Sequence, residues 1–327
     1  MKIPMDGVSC RMAIACALLC GLLWTSAVAE ESNAVYPVSA TDDSGRQIAI
    51  SRPFRRIISL YGAHTENLFA IGCAGQIIGV SPNEAYPPEA TQKPVFSYHD
   101  DLEKFLAAKP DLVLIRPMIE RGYGRLVSGL EKAGIVVVSL QPTTPDELRQ
   151  YWALLGVLTG RVREARALTT YFFDNVERFR QAAGTIRQRK RVYFEAIHGR
   201  MKTFSPNSMP IFVLETVGGV NVAPDAEVVK ESQIAYYGKE RILAKADQID
   251  VFLAQTGVMN AATVDTIRNE PGFNAIDAVK NGRIYLVDEM LVSRPGPRLL
   301  TGMLTIGRML YPERYATFQL PAWEVPH

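Results

Sequence analysis

Apolar residues in this chain fall into short β-branched blocks separated by stretches of helical period. Arg56-Ile57-Ile58-Ser59-Leu60, Ile77-Ile78-Gly79-Val80, Asp111-Leu112-Val113-Leu114-Ile115 and Ile135-Val136-Val137-Val138 are uninterrupted apolar runs. Runs of that kind are expected of strands buried on both faces of a sheet. Between the last two, Arg121 to Ala133 has helical spacing and closes on Gly134, the usual stop residue. A right-handed βαβ unit in a mainly parallel sheet follows.

From Pro145 to Gly184 no strand pattern occurs. Leu148, Trp152 and Leu155 share one helical face, and Thr159-Gly160 ends that helix. Val162, Ala165, Leu168, Phe172, Val176, Phe179 and Ala183 then recur at spacings of three and four, which predicts one long amphipathic helix of roughly 33 Å. After the basic stretch Arg187-Gln188-Arg189-Lys190-Arg191, read as a solvated linker, strands resume at Val192 to Ile197, Val251 to Ala254 and Ile284 to Val287. The fold class is therefore α/β, with two lobes joined by one long rigid helix. Residues 30–145 form the first lobe, 146–184 the linking helices and 185–327 the second lobe.

At 327 residues, 47% hydrophobic and 21% charged, the chain is long enough for two lobes, each with its own core. Lys and Arg number 36 against 34 Asp and Glu, a formal charge of +2 with no long basic block, which excludes the electrostatic footprint of nucleic-acid binding. Lys2 and Arg11 precede the apolar run Met12 to Trp24, and Ala27-Val28-Ala29 supplies small residues for cleavage. Residues 1–29 thus read as a signal peptide removed after Ala29, since a bilayer span needs roughly 20 apolar residues. Of the four cysteines, Cys10, Cys16 and Cys20 fall inside that segment, so only Cys73 remains and no internal disulfide forms.

Two segments match across the halves. His64-Thr65-Glu66-Asn67-Leu68-Phe69 follows one strand, and Leu214-Glu215-Thr216-Val217-Gly218-Gly219 lies near another, each expected to set one exposed acid at the start of a short helix, where the dipole favours a carboxylate. In open α/β sheets ligands bind beyond the carboxyl ends of the strands. That rule selects Tyr61 and His64, Arg116 and Met118, His198 and Met201, Gln255 with Thr256, and Arg294. Aromatic and cationic groups such as Tyr61, Arg116 and Arg294 suit a large, flat or anionic ligand. His64, His99 and His198 lack metal-ligand spacing, so no metal site is assigned and they are read as polar rim contacts. G-x-S-x-G, Walker and G-x-G-x-x-G motifs are absent, and the chain is read as no enzyme.

Several stretches resemble one known family in order. Thr41-Asp42-Asp43-Ser44-Gly45-Arg46, the Thr65-Glu66 pair, Leu102 through Lys109-Pro110-Asp111-Leu112-Val113, Leu214 to Asn221, Lys239 to Ala244, Ala278 to Tyr285 and Arg294-Pro295-Gly296-Pro297-Arg298 are similar to periplasmic substrate-binding proteins of ABC importers for ferric siderophores, haem and cobalamin. The chain departs from the common pattern at Gly62-Ala63-His64, where a proline and small residues often stand. The resemblance implies two Rossmann-like lobes and no covalent cofactor. It implies a monomeric periplasmic carrier whose cargo is a metal chelate of Fe or Co, a ferric siderophore first and a corrinoid or haem next. It implies a partner, the ABC permease dimer of the inner membrane with its ATPase, met by Glu66 and Glu215. It also places Tyr98 and His99 at the cleft. An exported α/β enzyme acting on a chelate or tetrapyrrole between its lobes is the alternative. Intact mass of the periplasmic protein is expected to fit a chain beginning at Glu30; retention of Met12 to Trp24 overturns the export reading.

Overall fold

The computed structural model describes residues 36–229 and 232–326, so the expected signal peptide lies outside the described residues. An antiparallel hairpin of β1 (Val38–Thr41) and β2 (Gln47–Ile50) opens the described chain. There follow β3 (Ile57–Ser59), α1 (Gly62–Ala70), β4 (Ile77–Val80), α2 (Leu102–Ala108), β5 (Leu112–Ile115), α3 (Pro117–Gly122), α4 (Gly124–Lys132) and β6 (Val136–Ser139). The four strands of this lobe pair in the order β4-β3-β5-β6, all parallel, with Ile57 beside Leu112 and Leu112 beside Val136. Every residue of β5 is buried, as a strand covered on both faces requires. The helix expected from Arg121 to Ala133 is broken at Tyr123, between Gly122 and Gly124, into the end of α3 and the whole of α4.

Two long helices follow. A capping box, in which the Thr144 side chain accepts from the Glu147 amide and the Glu147 carboxylate accepts from the Thr144 amide, starts α5 (Pro145–Thr159), with Pro145 in its first turn. Gly160, at φ 73°, ends it in the left-handed conformation. Next comes α6 (Val162–Gly184), whose apolar stripe Leu168, Phe172, Val176 and Phe179 is fully buried. Each such side chain contributes roughly 1.5–3 kcal/mol of burial.

The second lobe contains β7 (Arg191–Ile197), β8 (Lys202–Phe204), α7 (Met209–Thr216), β9 (Val220–Asn221), β10 (Glu227–Val228), β11 (Ile234–Tyr236), α8 (Lys239–Ala244), β12 (Val251–Thr256), α9 (Val264–Arg268), α10 (Asp277–Lys280), β13 (Ile284–Asp288), α11 (Glu289–Val292), α12 (Leu299–Leu310) and α13 (Pro312–Tyr315). Its sheet is mixed. Strands β9, β7, β12 and β13 are parallel neighbours, whereas β8, β11 and β10 continue the other edge antiparallel.

One continuous core joins residues of both sheets, among them Leu112 and Phe194, through α5 and α6, so the lobes do not have wholly separate cores. Smaller clusters fill the outer layer of each lobe. Past α13 the chain returns along α6: Phe318 stacks on Phe179 with ring centroids 4.2 Å apart, and Tyr171 Oη donates to Pro321 O at 2.7 Å. Trp323 Nε1 then donates to Ala70 O of the first lobe at 2.9 Å. Among the described residues no helix is long and apolar enough to cross a membrane.

Candidate functional site

The lobes meet where α1 leaves β3. A Cβ at Gly62 would lie 2.4 Å from Arg294 Nη1, so a larger residue there would push the second-lobe guanidinium off this turn. Glu66, one turn further along α1, is 3% exposed. Arg298 grips its carboxylate through both Nε (2.8 Å) and Nη2 (2.6 Å), and Arg294 Nη1 adds a third hydrogen bond at 3.1 Å. The expectation of an exposed acid at a helix start is thus corrected. Glu66 sits in mid-helix, and two guanidinium groups from the opposite lobe offset its desolvation. Beside it, Asn67 Nδ2 donates to Pro295 O at 2.8 Å, and Asn67 Oδ1 accepts from Trp152 Nε1 at 2.5 Å. Glu215 is exposed as expected, but it lies in the last turn of α7 rather than the first. There the dipole disfavours a carboxylate, and partial burial raises its pKa above the ordinary value.

His64 does not reach the cleft. It is fully buried, with Nε2 2.9 Å from Ile115 O and Nδ1 2.8 Å from Tyr151 Oη. A carbonyl only accepts, so the proton sits on Nε2 and the tyrosine hydroxyl donates to Nδ1. Gln255 is likewise withdrawn: it is 1% exposed, donates from Nε2 to Ala196 O at 3.0 Å and accepts from Ser293 Oγ at 2.7 Å. Gln255 lies one position inside the end of β12 and His64 in the first turn of α1, and backbone and hydroxyl groups satisfy the polar atoms of both.

Other strand-end residues do gather at the carboxyl edges. The Arg116 guanidinium lies 4.9 Å from the Tyr61 ring centroid, a cation–π pair just past β3 and β5. Tyr98, His99 and Tyr123 form a three-ring cluster, with centroids 4.6 Å apart for Tyr98–His99, 4.6 Å for Tyr98–Tyr123 and 5.0 Å for His99–Tyr123. Sequence reading placed Tyr123 inside a helix and missed it; the flanking glycines were the available signal. Met118 and Met201 are half-buried, each packed on its own lobe's outer core, and Met201 holds a left-handed turn at φ 47°. Arg294 faces Glu66 and donates to Asn83 O at 3.3 Å.

On the second lobe, His198 Nδ1 donates to Glu195 Oε2 at 2.9 Å, and its Nε2 lies 3.6 Å from Glu270 Oε2. Glu195 raises the imidazole pKa, while burial raises that of the Glu195 carboxyl. Glu195 was overlooked, although a lone acid within the apolar run Val192 to Ile197 marked it. Among the described residues no group of three or more His, Cys, Asp or Glu is placed to hold a metal ion. A cavity of about 900 Å³ flanks the Glu66–Arg298 contact, walled by Phe69, Tyr86, Thr301 and Trp323.

Against this geometry, the periplasmic binding protein family model matches residues 57–291. The chain belongs to the periplasmic binding protein family. It is 26% identical over 296 residues to the uncharacterized ABC transporter substrate-binding lipoprotein YvrC of Bacillus subtilis, covering 88% of this chain and 90% of that one. It is 25% identical to a vitamin B12-binding protein of Vibrio cholerae over 77% of this chain and 88% of the relative. Among solved structures, a possible iron-binding (periplasmic solute-binding) protein of Staphylococcus epidermidis superposes with a TM-score of 0.70 at 27% identity, over 80% of this chain and all of that one. The binding-protein fold thus accounts for the two sheets and the helices between them.

Burial lowers the His64 pKa from 6.5 to about 4. Its contribution is full above the unfolded value and is lost as pH falls toward the folded one, a loss of up to about 3 kcal/mol. Denaturant midpoints at about pH 7 and about pH 4.5 are expected to differ less for His64→Gln than for the parent, because Gln does not titrate. An unchanged difference overturns this account of acid sensitivity.

Proposed function

We propose that this chain is the exported capture subunit of an ABC importer, taking a metal chelate between its lobes and handing it to the permease dimer and its ATPase. The cargo class is a ferric siderophore, corrinoid or haem. Family membership supports the reading, and one observation carries it: the carboxyl edge of the first sheet bears the Tyr61–Arg116 pair and the Tyr98–His99–Tyr123 cluster, a wall of rings and fixed positive charge. Such a wall stacks on a flat chelate and gives charge-assisted hydrogen bonds to its anionic groups.

Arg294 drops back in this reading because Glu66 occupies its guanidinium, which leaves Arg116 as the cleft cation. Mixing the mature protein with haem, cobalamin and ferric hydroxamate chelates is expected to leave one of them bound in one equivalent and released with unchanged mass. A mass change instead supports the exported-enzyme alternative. For an anionic chelate, Arg116→Ala is expected to weaken binding about tenfold to a hundredfold, the worth of a charged hydrogen bond. Parent-like affinity removes Arg116 from the site.

Docking needs exposed carboxylates. Glu215 qualifies, but Glu66 is already neutralised internally. On the first lobe Glu103 has the required properties: it is exposed, it stands in the first turn of α2, and it makes no ion pair among the described residues. Reversing Glu103 and Glu215 together to Lys is expected to abolish uptake while chelate affinity stays at the parent value. Parent-level uptake by the double variant overturns this pairing.

A further inference from the structure

Beyond β12 the chain makes a tight turn, Gly257 to Asn260, whose polar groups are spent on holding its shape. Gly257 N donates to Asn260 O at 3.0 Å, and Asn260 N returns to Gly257 O at 3.3 Å. Asn260 also ties the turn to two strand ends: its Oδ1 accepts from His198 N at 3.1 Å, and its Nδ2 donates to Gln255 O at 2.8 Å. From the end of β13, the Glu289 carboxylate accepts from Val258 N through one oxygen (3.1 Å) and from Met259 N through the other (3.2 Å). Gly257 stands at φ 157°, and a Cβ there would lie 2.3 Å from Glu289 Cδ, so this residue must be glycine for the carboxylate to seat.

The side chains this bracing presents are apolar and exposed. Val258 is 80% exposed and Met259 52%. Single exposed apolar residues need no explanation. Two adjacent ones, on a turn fixed from β7, β12 and β13 at the carboxyl edge of the sheet, stand where α/β clefts collect ligand contacts. They offer neither charge nor hydrogen bond, only a polarizable apolar surface whose burial is favourable.

We propose that Val258 and Met259 are the second-lobe contact for an apolar, planar face of the cargo, opposite the aromatic wall of the first lobe. This rests on the carrier reading above and narrows it. The cargo is a chelate with a broad conjugated ring, anionic at its rim toward Arg116 and apolar over the face that meets the Val258–Met259 turn. A compact, polar-surfaced hydroxamate complex does not use such a contact. Because both side chains are exposed, polar replacement leaves the fold intact, and a denaturation midpoint equal to the parent's is expected.

The test titrates the unaltered protein, V258S/M259S and V258I/M259L with haem, cobalamin and a ferric hydroxamate. The Ser pair is expected to bind the retained ring chelate about tenfold or more weakly, and the apolar pair to stay within about twofold of the parent. Equal affinity of parent and Ser pair for that chelate overturns the contact, as does retention of the hydroxamate alone. Unchanged affinity with lost uptake also overturns it and gives the turn to the permease. If the unaltered protein retains no member of the panel, the carrier reading itself fails, a result distinct from the other three.

Discussion

A carboxylate shut away from water fixes how the two halves of this molecule stand against each other. Glu66 belongs to the first lobe and both its arginines to the second. Separating the halves strands a buried charge, and losing one partner of such a pair typically costs about 3–5 kcal/mol. Neighbouring features follow from that constraint. Gly62 is bare so that Arg294 can pass. Asn67 extends the grip to Pro295, and Trp152 of α5 holds Asn67 in turn. With α6 and a core common to both sheets, these contacts tie the lobes into one frame.

The same constraint divides labour among the cations. Arg294 and Arg298 are committed to Glu66, while Arg116 lies against an aromatic ring and has no carboxylate on it among the described residues. Charge committed to the lobe contact and charge left without a carboxylate are therefore kept apart, although all three arginines follow strand or loop ends of similar appearance. On the second lobe the acids Glu195, Glu270 and Glu289 act as braces for His198, Lys239 and the turn after β12. Polar groups there set shape and leave apolar surface to face outward.

Much of the fold was legible in the sequence because its parallel strands are buried on both faces and so read as unbroken apolar runs. The long helix was equally plain, since Leu168, Phe172, Val176 and Phe179 form one stripe. Strands β8, β10 and β11 were not legible: each has two or three residues, some polar, and is held by partners rather than by its own pattern. For the site, position after a strand end marked Tyr61, Arg116 and His198, which stand just past β3, β5 and β7, whereas Tyr98 and His99 came from the resemblance alone. The strand-end rule misplaced His64 and Gln255, whose hydrogen-bond acceptors are backbone carbonyls that no side-chain pattern reports. Glu66 was misjudged for another reason, since its partners lie 228 and 232 positions away.

The returning C-terminal segment has a consequence for the order of synthesis. Trp323 completes the surface of α1 by bonding to Ala70, a contact spanning 253 positions. Until the segment from Phe318 to Trp323 has closed back onto the fold, the carbonyl at the end of α1 and the aromatic groups along α6 lack their cover. Closing so long a loop is slow compared with local folding. The order of synthesis therefore differs from the order of completion, since the end of α1 is covered only once a segment 253 positions downstream has docked on it.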